Sequence, residues 1–140
     1  MTTTATAPLT TWTEPEGIAP RGTIVVLVGR GETAAVYGRV GRRLSSDAYR
    51  VVVLDGDIEA GLDQVLPDAV RPVVLLGSDE GALEAVRIAA GGAVDAVILA
   101  GLPTSDRVTG DDLELRTACP NHRKILGASA VPLADVALPN

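Results

Sequence analysis

The sequence contains no Phe, and its single Trp and two Tyr bring aromatics to only 2% of 140 residues. A core packed from large rings is therefore excluded. The interior must be assembled from Val, Leu, Ile and Ala, which suits strands covered by helices on both faces. A single Cys excludes an internal disulfide and fits a reducing compartment. Positive charge is also in deficit. The net charge of −6 and the isoelectric point near 4.6 argue against a nucleic-acid or anionic-membrane partner, because phosphate binding needs a positive field. Arg39, Arg42 and Arg43 do cluster, but on one side of an expected helix, where they read as a solvated face. Long uninterrupted apolar runs are missing as well. The most apolar window, 82–102, contains Glu84, Arg87 and Asp95 and makes a poor membrane span. Residues 1–9 are rich in Thr and Ala, with no basic stretch leading into an apolar one, so they do not read as a signal peptide. A cytoplasmic location is the expectation.

What is present is globular in balance, at 46% hydrophobic and 21% charged residues, and long enough for one core. Residues 1–9 read as a flexible tail and 9–14 as a short edge strand. The β-branched run Thr23–Val28 has the pattern of a strand buried on both faces. After Gly29–Arg30–Gly31, the residues Val36, Tyr37, Val40 and Leu44 recur at three- and four-residue spacing and predict one apolar helix face. Tyr49–Leu54 is a second buried strand. Asp57 is placed to cap a helix that turns Ile58, Leu62, Val65 and Leu66 inward. Pro72–Leu76 is a third strand, Gly77–Gly81 a turn, 82–90 a helix and Asp95–Ala100 a last strand. Strands and helices alternate with short links. Right-handed crossovers then give a doubly wound α/β core with a parallel sheet of about four main strands. Beyond Pro103 the pattern changes to a polar loop, a short helix over 111–118, the break Cys119–Pro120 and a tail that approaches a further strand.

Ligands of open α/β sheets sit beyond the carboxyl ends of the strands, so the loops there carry the candidate chemistry. Gly29–Ala34 matches the dinucleotide fingerprint G-x-G-x-x-A between a strand and a helix, with Asp55 ending the next strand where a ribose-binding acid would lie. Glu32, however, puts negative charge beside the phosphate position. Gly77–Ser78–Asp79–Glu80–Gly81 has the spacing of the nucleophile elbow G-x-S-x-G, with Asp79 where Ser is usual. The alternative role for Asp79 is simply to cap the helix that follows. Asp55 and Asp57 flank Gly56 closely enough to attract a cation, but turn formation and capping explain them better, and no metal site is expected.

Taken together, several segments resemble the α/β-hydrolase family: Thr23–Glu32 its strand and oxyanion loop, 37–55 its first helix and next strand, 72–83 its elbow, and 95–103 the strand after it. The likeness covers roughly residues 20–103, within an expected core over 10–103. It implies a hydrolase fold acting on a small-molecule substrate, with Asp79 at the nucleophile position and the backbone N–H groups of Arg30 and Glu80 as oxyanion donors. No cofactor is implied. Departures from the family pattern bear on activity. Val28 stands where a His often precedes the oxyanion-loop Gly. Relatives that use Asp commonly follow it with Trp, whereas here Glu80 follows.

The family places its catalytic acid and His after later strands, in the order nucleophile, acid, His. The one His of this chain, His122, falls in the segment 104–140, which resembles a lid region. Its position three residues after Cys119 fits a structural role better than that of a base. The resemblance therefore implies a truncated or divergent member, active or not. A non-catalytic ligand- or partner-binding module and a Rossmann-like dinucleotide domain remain open beside it. Without further strands, the apolar edge Asp95–Ala100 is an expected route to a homo-oligomer.

Overall fold

The computed structural model describes residues 9–103, together with the backbone of 107–108 and 136–137. At its centre is β2 (Gly22–Leu27), buried along its whole length, with β3 (Tyr49–Leu54) on one side and β4 (Val73–Ser78) on the other, both parallel to it. Val25 lies opposite Val52 in one neighbour and Leu75 in the other, so the β-branched run is the spine of the sheet. The edges are β1 (Thr10–Trp12), antiparallel to β3, and β5 (Ala96–Ala100), parallel to β4, which gives the order β1-β3-β2-β4-β5.

Because side chains alternate along a strand, β2 feeds two cores. Val25 and Leu27 pack with Val52, Leu54, Val73 and Leu75 beneath α2 (Ile58–Val65) and α3 (Glu80–Ala90), which contribute Leu62 and Ala85. Ile24 and Val26 pack on the opposite face with Val51, Val53, Val36 and Tyr37. Helices on both faces of a mainly parallel sheet are the doubly wound arrangement expected from the alternating pattern. The capping role of Asp57 is also observed: its carboxylate accepts from the Ala60 N–H at 3.0 Å at the start of α2.

Three local expectations are corrected. The helix after Gly31 is divided into a short 3-10 turn, Ala34–Tyr37, and α1 (Gly38–Ser46). The change of pitch breaks the single apolar face, leaving Val40 37% exposed while Gly41 and Ser45 turn inward. Trp12 packs so closely over Gly41 that any side chain there would overlap its ring. Second, β4 continues through Gly77 to Ser78 and α3 begins at Glu80, so the expected five-residue turn shrinks to Asp79 alone. Third, β4 alternates between buried and half-buried residues instead of being buried on both faces, while β5 exposes Ile98 and Leu99, in keeping with the expected apolar edge; α1 packs mainly on β3 and β1.

Residues 1–8, the expected helix over 111–118, Cys119 and His122 lie outside the described residues. Arg107–Val108 (β6) and Val136–Ala137 (β7) pair as an antiparallel two-stranded ladder that the sequence pattern does not announce. Among the described residues, no helix is long and apolar enough to cross a membrane.

Asp95 fastens β5 to β4. Its Oδ2 accepts from the Val73 N–H at 2.7 Å and from Arg71 Nη1 at 2.9 Å. The Val73 N–H first, and then the guanidinium, hold the Asp95 carboxyl below its ordinary value of 3.8. A carboxyl depressed in the folded state stabilises the fold above the unfolded value, and that contribution is lost as pH falls through the folded value. Asp95→Asn is therefore expected to lower the urea midpoint at neutral pH and to flatten its decline below pH 3.8. A variant that follows the parent's acid limb unchanged would remove Asp95 from that linkage.

Candidate active site at the elbow

The link from β4 to α3 has room for one residue because the elements around it touch through glycine. A Cβ at Gly77 would overlap the Gly81 carbonyl and the Ala82 backbone, and one at Gly81 would overlap the Leu27 carbonyl at the end of β2. Asp79 is forced to φ +54° and ψ −116° between them, a region that costs a residue with a side chain on the order of 1–3 kcal/mol. The bend is pinned by its backbone. The Asp79 N–H donates to the Ala100 carbonyl at 2.9 Å, and its carbonyl accepts from the Ala82 N–H at 3.0 Å.

The Asp79 carboxylate does not cap α3. It faces the loop after β2, where the Arg30 side chain takes it in a fork: Nε donates to Oδ2 at 2.7 Å and Nη2 donates to Oδ1. The Arg30 backbone N–H also donates to Oδ2, at 3.2 Å. Both residues are buried, at 8% and 6% exposure, so this charge pair is withdrawn from water. Of the two backbone donors expected from the hydrolase resemblance, Arg30 is thus aimed at the elbow residue, and Glu80 follows it directly as the first residue of α3.

A second buried carboxylate fixes the loop. Glu32 accepts from the Tyr37 hydroxyl at 2.6 Å and from Ser78 Oγ at 3.1 Å. It ties the Arg30 loop both to the following 3-10 turn and to the last residue of β4, immediately before the elbow. Sequence reasoning missed this role for Glu32 and Ser78. Their separation of 46 residues carries no periodic signal, and the only hint is an acidic residue inside an otherwise apolar strand-to-helix junction.

The carboxyl ends of β2 and β3 open into a crevice of about 370 Å³, lined among others by Arg30, Asp55, Ile58, Glu80, Gly81 and Glu84. The dinucleotide reading does not fit this geometry. Gly29–Ala34 leads into the four-residue 3-10 turn rather than directly into an α-helix, and Asp55 accepts from the Ala34 N–H at 2.9 Å, where a phosphate would need that donor. Asp57 caps α2 as expected, whereas Asp55, rather than capping its own segment, reaches across to the Ala34 N–H 21 residues earlier in the chain.

No protein-family model and no curated protein matches the chain. Among solved structures, a thioesterase domain from the curacin biosynthetic pathway is similar with a TM-score of 0.53 and 22% identity, over 86% of this chain and 49% of that one. The chain has an α/β-hydrolase-like fold. A second similar structure, the type II thioesterase BorB from the borrelidin biosynthetic cluster, has a TM-score of 0.46 and 20% identity, over 86% of this chain and 58% of its own. The chain spans about half the length of the thioesterase domain it resembles.

Removing one partner of a buried ion pair strands the other, at about 3–5 kcal/mol. Arg30→Met is expected to lose that much stability in urea unfolding. In Arg30→Met/Asp79→Gly, which removes both charges and relaxes the positive φ, most of the loss is expected to return. A single variant within about 1 kcal/mol of the parent, as for an exposed pair, would contradict the burial of this contact.

Proposed function

We propose that this chain is a hydrolase-type domain in which the Asp79 carboxylate attacks a carbon centre of a small molecule bound at the elbow. The observation that carries the reading is a carboxylate held at the apex of a strained, one-residue strand-to-helix bend. Glycine would occupy that bend without strain. Keeping a side chain there, and burying its charge, costs stability twice, and such costs concentrate at functional sites. The Arg30 N–H and Nε steady Oδ2 while Nη2 meets Oδ1, the oxygen this reading assigns to the attack.

The chemistry of a carboxylate narrows the reaction. Attack on an acyl carbon gives an anhydride, whereas attack on a saturated carbon gives an ester. Alkyl halides and epoxides therefore suit Asp79 better than the acyl substrates of a Ser nucleophile. Oδ1 forms the new C–O bond, and the halide or epoxide oxygen departs with the bonding electron pair. Water then cleaves the Asp79 ester, which requires a base to take its proton.

One observation favours a second reading, that of a non-catalytic ligand-binding module. The guanidinium fork on Asp79 draws electron density from both oxygens and so lowers their nucleophilicity. Covalent labelling separates the two, because it needs only the first half of the reaction. Incubation with an epoxide or a bromoalkane, followed by intact-mass and peptide analysis, is expected to show one adduct on the peptide containing Asp79, absent from Asp79→Asn. Reversible binding without an adduct would leave the binding module standing and remove Asp79 as nucleophile.

A further inference from the structure

We propose that the outer face of α1 is a docking surface for a short acidic segment of a partner protein, held by Arg39, Arg42 and Arg43. The inference is independent of the chemistry proposed for Asp79.

Positive charge is spent unevenly in this chain. Arg30, Arg50, Arg71 and Arg87 each meet a carboxylate of the protein itself. The other arginines that the structure describes collect at α1. Arg39, Arg42 and Arg43 stand exposed along it. Arg21 adjoins the turn that follows, where its backbone N–H donates to the Ala48 carbonyl at 2.8 Å. Asp47 is the acid in this group, 3.7 Å from Arg43 in a contact exposed on both sides, which solvent screens. Arg39 and Arg42 meet no carboxylate among the described residues.

The arrangement works against the helix that carries it. Cations three and four residues apart on a helix repel, and Arg39 has those spacings to Arg42 and Arg43. Arg43 lies in the last turn, where the helix dipole favours a cation, but Arg39 lies in the first, where the dipole opposes one. Arg42 does not swing away from this repulsion. It lies back along α1, close enough that a Cβ on Gly38 would be 3.1 Å from its Nη1. Packing of Gly41 against the Trp12 ring fixes the inner side of the helix and keeps the arginines outward. Val40 stands exposed between Arg39 and Gly41 and offers the same surface an apolar contact.

The charge of the partner follows from the rest of the molecule. On the opposite face of the sheet, α2 and α3 carry Glu59, Asp63, Glu80 and Glu84, with Arg87 as their one cation. The whole chain has a net charge of −6. An acidic partner is therefore steered to α1 and repelled elsewhere. The partner segment is short because the nine residues of α1 span only about 13 Å. A long polyanion such as a nucleic acid would overrun the patch onto the acidic remainder.

The test titrates dye-labelled hexaglutamate with the full chain and follows fluorescence anisotropy. Hexaglutamate is expected to bind and hexaglutamine is not. Affinity is expected to fall at least 10-fold as ionic strength rises from about 0.01 to 0.15 M. Arg39→Gln is expected to bind the peptide at least 3-fold more weakly, and Arg39→Gln/Arg42→Gln at least 10-fold. Arg87→Gln, which removes the same charge from α3, is expected to bind as the parent does. Arg39→Gln is also expected to keep or raise the urea midpoint, because it relieves repulsion within the helix. Absence of hexaglutamate binding, or equal weakening by Arg87→Gln, would overturn the proposal. A lowered urea midpoint in Arg39→Gln would overturn it too, by showing that the arginine serves the fold. Tighter binding of a thymidine hexanucleotide than of hexaglutamate would assign the face to phosphates. Salt-sensitive self-association without peptide binding would assign it to a second copy, and either result would remove the acidic protein segment as occupant.

Discussion

The close approach of α3 to the end of β2 is the constraint on which the rest of this structure depends. Gly81 lies against the Leu27 carbonyl and Gly77 against the Gly81 carbonyl, and neither contact leaves room for a Cβ. The chain must therefore pass from strand to helix through one residue. That residue takes a positive φ and projects from the carboxyl edge of the sheet toward the loop leaving β2. Packing of backbone on backbone thus decides where the Asp79 carboxylate goes before any electrostatic term acts.

Electrostatics then decides what the carboxylate does. At an exposed site Asp79 would be hydrated and mobile. Here it is enclosed with Arg30, and Glu32 holds the Arg30 loop in place through Tyr37 and Ser78. Of the two buried carboxylates, Asp79 meets the guanidinium, and Glu32 accepts from the Tyr37 and Ser78 hydroxyls. The strain of the bend and the desolvation of the pair both oppose folding. The uniform Val and Leu packing of β2 with its two neighbours supplies the rigid frame that carries them.

How much of this was legible in the sequence depends on the range of each interaction. The run Thr23–Val28 announces a strand buried on both faces, and it is the sheet's centre. The spacing Gly77–Gly81 announces an elbow, since close backbone approach demands glycine at both ends. Its length was overestimated because strand pairing with β5 extends through Ser78. The helix after Gly31 departs from its periodic pattern at the pitch change between Tyr37 and Gly38, which apolar spacing does not register. Neither the Arg30–Asp79 fork nor the Glu32–Ser78 contact could be read, because partners 49 and 46 residues apart meet only once the strands are in register.

The buried fork between Arg30 and Asp79 is the claim most open to direct observation. Solvent exchange of the Arg30 Nε–H proton, followed by nitrogen-15 NMR with Arg39 as the exposed reference, measures it in solution. Protection of Arg30 well above that of Arg39, lost in Asp79→Asn, is the predicted result. Exchange of both side chains at the same rate would contradict the pairing, and with it the enclosure of the Asp79 carboxylate against the loop leaving β2.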